Sequence, residues 1–142
     1  MAFTQNSIPT LIKQPQNGKV TIQNADGGSG KTVYAAGANG SKVSSLIAQS
    51  TDTSSRDVFV LIANGGTSFL LGCVTVPAGA GNLGAVPSVN LLDPTKIIGL
   101  AFDSDGNPFI HLVSGDSLQV AATSTVTSGK VISVVAPTVG DF

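Results

Sequence analysis

Beyond Asn17-Gly18 the chain alternates: Val20 and Ile22 are set between Lys19, Thr21 and Gln23. That period of two puts one face of a strand against a core and the other in water. Asp26-Gly-Gly-Ser-Gly30 then reads as a turn, Lys31-Thr-Val-Tyr-Ala35 as a strand, Gly37-Ala-Asn-Gly40 as a turn, and Lys42-Val-Ser-Ser-Leu-Ile-Ala48 as a further strand running into the polar segment Gln49 to Asp57. Val58-Phe-Val-Leu-Ile62, Asn64-Gly65-Gly66 and Thr67 to Val76 together predict a β-hairpin with both arms central in a sheet. Pro77-Ala-Gly-Ala-Gly81 stops pairing, so residues 77 to 87 form a loop. Between Leu91 and Ile98 a short helical turn is expected, opened by Pro94 and capped by Asp93. Ile97 to Phe102, Phe109 to Val113, Ser117 to Ala122 and Lys130 to Ala136 complete about eight to ten short strands, the spacing of a sandwich or barrel.

Composition narrows the fold class. At 142 residues the chain fits one domain, and only 11% of it is charged, well under the roughly 25% usual for soluble domains. Ser, Thr, Asn, Gln and Gly take the place of charge on exposed strand faces, and helix-favouring residues are scarce. The reading is all-β: a single-domain antiparallel β-sandwich over residues 19–142, preceded by an extended N-terminal arm over residues 1–18. The arm carries Pro9 and Pro15 and little periodicity. Its apolar side chains Phe3, Ile8, Leu11 and Ile12 are candidate partner contacts, with pinning of the arm to its own domain as the alternative.

Net charge is −1 and neither Lys nor Arg clusters, so nucleic acid is not an expected partner. No apolar run approaches the roughly 20 residues that span a bilayer, and the start has no apolar signal core, so a membrane is not expected either and synthesis in a cytoplasm is. Ala25-Asp-Gly-Gly-Ser-Gly-Lys-Thr32 imitates a phosphate-binding loop, with Ala25 where the first glycine belongs. The β-type run after it cannot supply the helix N-terminus that such a loop needs, which leaves Lys31 as a solvated loop residue. Asp103, Asp105 and Asn107 share the alternate spacing of calcium ligands, but Pro108 stands where an EF-hand needs glycine and Ser114 where it needs Glu. A tight turn explains them more economically, with a weak calcium site as the alternative. His111 is the single histidine and Cys73 the single cysteine, the latter read as a buried, inert thiol. An Asp52–Asp57 glycosidase-like pair carries no information among eight acidic residues. No catalytic set and no cofactor are expected.

Spaced segments, not one motif, carry a resemblance: Val76-Pro-Ala-Gly-Ala-Gly81, Val89-Asn-Leu-Leu92, Asp103-Ser-Asp-Gly-Asn-Pro108, Gly115-Asp-Ser-Leu118, and Lys130-Val-Ile-Ser-Val-Val-Ala136 through Gly140-Asp-Phe142. Over roughly residues 40 to 142 the chain is similar to small structural proteins of tailed bacteriophages, among them the capsid decoration or cement proteins. The resemblance implies a jelly-roll-like form of the sandwich and a virion protein on the capsid surface that binds the major capsid protein, associates with itself as a homotrimer and stabilises the shell. It transfers no site residues. An alternative is a tail, baseplate or head-fibre module that binds host-surface carbohydrate; with Trp absent and Tyr34 the single tyrosine, aromatic platforms for sugar are few.

Overall fold

A computed structural model describes residues 14–142. Among them are eleven strands: β1 (Gln14–Gln23), β2 (Lys31–Ala35), β3 (Ser41–Val43), β4 (Ile47–Ser50), β5 (Arg56–Asn64), β6 (Thr67–Val76), β7 (Val89–Asn90), β8 (Ala101–Phe102), β9 (Pro108–Leu112), β10 (Asp116–Ala122) and β11 (Val131–Asp141). They form two antiparallel sheets that pack as a sandwich. One sheet runs β7-β4-β11-β3-β9-β8, with β1 also on β11; the other runs β2-β10-β5-β6.

The alternation drives this packing. Val58 and Val60 of β5, Leu118 and Val120 of β10, and Ile132, Val134 and Ala136 of β11 are fully buried, as is Ile22 of β1. Each Val, Leu or Ile side chain so enclosed stabilises the sandwich by roughly 1.5–3 kcal/mol relative to exposure. Lys19, Thr21 and Gln23 stay exposed on the other face of β1, as the period of two requires.

Several boundaries differ from the sequence reading, for non-local reasons. The first strand begins at Gln14, inside the stretch taken as arm, because β11 offers residues Val131 to Asp141 as a template for all of β1. Asn17-Gly18 is part of a β-bulge: Gln16 pairs with Val139 and Gly18 with Ala136, so Asn17 alone faces Pro137 and Thr138. The expected strand over Lys42 to Ala48 is two strands, since β3 pairs with Val139 to Asp141 and β4 with Ile132 to Val135. Pro137, which has no amide to donate, lies at that break. Lys31 is a strand residue, not a loop residue, and its Nζ lies 3.0 Å from Asp26 Oδ1.

Residues 91 to 98 form an Asx turn without a helix. Asp93 Oδ1 accepts the amide of Thr95 at 2.9 Å, and the amides of Lys96 and Ile97 reach the Asp93 carbonyl. Only Ala101–Phe102 of the expected 97 to 102 strand is extended, while Ile97 is buried instead in the core. The hairpin is present, turning at Gly65 and Gly66 with φ of 60° and 84°, values that glycine alone adopts at little cost. Only β5 is central, however. β6 is the edge of its sheet.

Candidate interaction surface

Two polar clusters tie the loops down and account for the most conspicuous titratable groups. Asp52 is 1% exposed. Its carboxylate accepts Arg56 Nε at 2.8 Å, the Ser54 amide at 3.0 Å, and both the amide (3.0 Å) and hydroxyl (2.8 Å) of Thr127. Burial pushes this carboxyl up, but the hydrogen bonds from Arg56, Thr127 and Ser54 outweigh it and hold the group well below the ordinary carboxylate range. Arg56 also donates to Ser124 and Thr127, which clamps the loop before β5 to the loop after β10.

In the second cluster, the Tyr34 hydroxyl and the Ser41 hydroxyl each donate to Asp141 Oδ1 at 2.6 Å. Burial, followed by the Asp141 carboxylate, pushes the Tyr34 hydroxyl up to about 12. Gly37 is required beside this cluster, because a Cβ there would lie 2.7 Å from Asp141 Cγ.

The remaining chemical candidates resolve into turns and strand faces. The P-loop imitation is a 3-10 turn (Asn24–Asp26) leading into β2, with Asp26 accepting the Gln23 amide and pairing with Lys31. Asp103 Oδ1 accepts the amides of Asp105 and Asn107, both at 2.9 Å, so the calcium-like spacing closes a turn on itself. Asp57 accepts the Thr75 hydroxyl, whereas Asp52 is committed to Arg56 and Thr127; the two do not form a carboxylate pair. His111 is exposed and meets Phe142 edge to face at 5.5 Å. Cys73 is only partly buried, and that burial pushes its thiol up, away from the reactive thiolate. Among the described residues no group of three or more His, Cys, Asp or Glu could hold a metal ion, no buried side-chain polar atom lacks a hydrogen bond, and no helix is long and apolar enough to cross a membrane.

What the surface does present is apolar. Phe69 and Leu70 of β6 are more than half exposed, as is Phe102 of β8, and Ile98 is 92% exposed. Near them, at the side where β6 leaves the sandwich open, is a cleft of about 230 Å³. Ile62 and Leu71 wall it from one sheet, Ala101 and Phe109 to His111 from the other, and Ile97 and Leu100 from the connecting loop. No family model matches this chain, and no curated protein matches it. The arm residues Phe3, Ile8, Leu11 and Ile12 lie outside the described residues.

Sequence reasoning missed both the Arg56 clamp and the open edge. The spacing of four between Asp52 and Arg56 was the available signal for the first. For the second it was the loop-forming Pro77-Ala-Gly-Ala-Gly81, which carries the chain away from β6 and supplies no next strand to cover it.

Proposed function

We propose that this chain is a structural virion protein, a capsid decoration or cement protein that binds the outside of a tailed-phage head. It joins neighbouring copies of the major capsid protein and acts as a homotrimer, stabilising the shell through many simultaneous contacts. The observation that supports this reading best is the division of labour in the molecule. The acidic side chains that drew attention in the sequence, Asp52, Asp57 and Asp103, are taken up by hydrogen bonds within loops, turns and the β5–β6 pair, while an uncharged apolar edge faces outward. Rigid sandwiches of this kind offer fixed surfaces for recognition, and low net charge opposes close packing of copies only weakly.

The carbohydrate-binding alternative, in a tail, baseplate or head fibre, draws less support, since the hydroxyl of the single tyrosine is taken by Asp141. Co-sedimentation of purified protein with expanded capsids of the matching phage tests the proposal. Saturable binding that raises the temperature of capsid disruption is expected. Absence of binding, or hits on a glycan array instead, overturns it.

A further inference from the structure

β6 is an unguarded edge. Over its ten residues there is no charge and no proline, the features with which natural sheets keep edges from pairing. Among the described residues its backbone pairs with β5 alone. The opposite edge of the same sheet is different, because there β2 lies against β1: a Cβ on Gly18 would come within 2.5 Å of the Val33 carbonyl oxygen. The sandwich is therefore shut on one side and open on the other, and the apolar cleft sits on the open side with Phe69, Ile98 and Phe102 exposed about it.

The geometry points to a definite occupant: the Ile8–Ile12 segment of a neighbouring copy, its apolar side chains entering the cleft and its backbone adding to β6. Reach favours a second copy over the same copy. Pro15 pairs with Gly140, Gly140 with Lys42 and Lys42 with His111, so the cleft wall at His111 lies three strands, about 15 Å, from the start of β1. Ile12 and Leu11 are two and three residues before Gln14. Fully extended, they reach about 7 and 10 Å from it. Neither reaches its own molecule's cleft, and Ile8, which six residues before Gln14 spans about 20 Å, would enter that cleft alone; a neighbour's cleft placed beside the start of β1 takes Ile8, Leu11 and Ile12 together. Such a contact is head-to-tail, and it closes into a ring when the rotation allows. It deepens the proposed function by naming how copies join, but it stands on the cleft and not on the capsid.

Sedimentation mass and amide exchange of β6 in the full chain test it. The expected result is a mass above the 14.2 kDa of one chain, with slow exchange at those amides of Ser68 to Val74 that point away from β5, since the alternate ones are already bonded to β5 within one chain. The variant carrying Ile8→Asp, Leu11→Asp and Ile12→Asp, and separately Phe69→Lys at an exposed position, should each fall to one chain with fast exchange at those outward amides and an unchanged far-ultraviolet spectrum. A full chain that sediments as one copy at micromolar concentration overturns the inference. So does an assembly that the triple variant leaves intact, which would make β6 its own partner, or slow exchange at the outward β6 amides in a single-copy species. Capsid co-sedimentation of the unaltered chain is read separately, so loss of shell binding with intact arm exchange sinks only the proposed function.

Discussion

Asp52→Asn removes a buried charge while keeping nearly the same shape, and its cost can be worked from the structure. Four donors converge on the carboxylate, two of them from Thr127, on a loop more than seventy residues away in the chain. The amide that replaces it turns an NH2 toward at least one of those donors and leaves Arg56, whose side chain is 16% exposed, without its counter-charge. Removing one partner of a buried pair costs about 3–5 kcal/mol. Because Arg56 keeps some access to water and its bonds to Ser124 and Thr127, the lower end, about 3 kcal/mol, is expected. For a chain of this size that is a fall in melting temperature of about 10 °C.

The pH dependence checks the cause. The folded carboxyl lies below its ordinary value of 3.8, so the ionised form is favoured by folding. The stability it contributes is full above the unfolded value and is lost as pH falls from about 4 toward the folded value, by about 1.4 kcal/mol per pH unit. Urea melts of the two proteins at pH 7 and pH 3 should therefore show a gap that is about 1 kcal/mol narrower at pH 3. A loss under 1 kcal/mol at pH 7, or a gap that does not narrow in acid, refutes the assignment of Asp52 as an ionised anchor.

Tyr34 should titrate near 12 by absorbance at alkaline pH; since its folded value is raised, its contribution is intact below 10 and is lost as pH climbs from there toward 12, and Tyr34→Phe should flatten that alkaline loss. Gly72→Ala would set a Cβ 2.7 Å from Ile97 Cγ1 and 2.8 Å from the Lys96 carbonyl oxygen, so a destabilisation of about 1–3 kcal/mol is expected in thermal melts, and a neutral effect would mean that the 93 to 98 turn does not rest on β6. Calcium titration calorimetry should give no saturable heat, because the Asp103 carboxylate already closes its own turn, and saturable binding abolished by Asp103→Asn would contradict that reading.

The strands that were legible in the sequence are those whose signal is local. β2 carries the bounds read from the sequence, and the hairpin formed by β5 and β6 turns at the glycines that mark it. In both, alternation and turn chemistry lie within a few residues of each other. The split between β3 and β4 was not legible because its cause is Pro137, nearly a hundred residues along the chain and opposite only in the folded sheet. The rank of β6 was misread for a related reason. Phe69-Leu-Leu is as apolar as any central strand, and apolarity alone does not tell a strand covered by a neighbour from one waiting for a neighbour.

That ambiguity bears directly on function. The cleft draws its walls from Ile62 and Leu71, from Leu100 and Ala101, and from Phe109 to His111, three stretches that no motif search would join. The chemical candidates failed in the opposite way: Asp103, Asp105 and Asn107, and the glycines beside Lys31, are contiguous and conspicuous, yet their polar atoms are taken up by turns a few residues long. Turns and ligand loops need the same residues, Asp, Asn and Gly, for the same reasons of hydrogen bonding and permitted backbone angles. In a chain built from short strands, such clusters are therefore expected at every reversal. The better guide to its partners is an apolar strand whose free edge no other strand of the described chain pairs with.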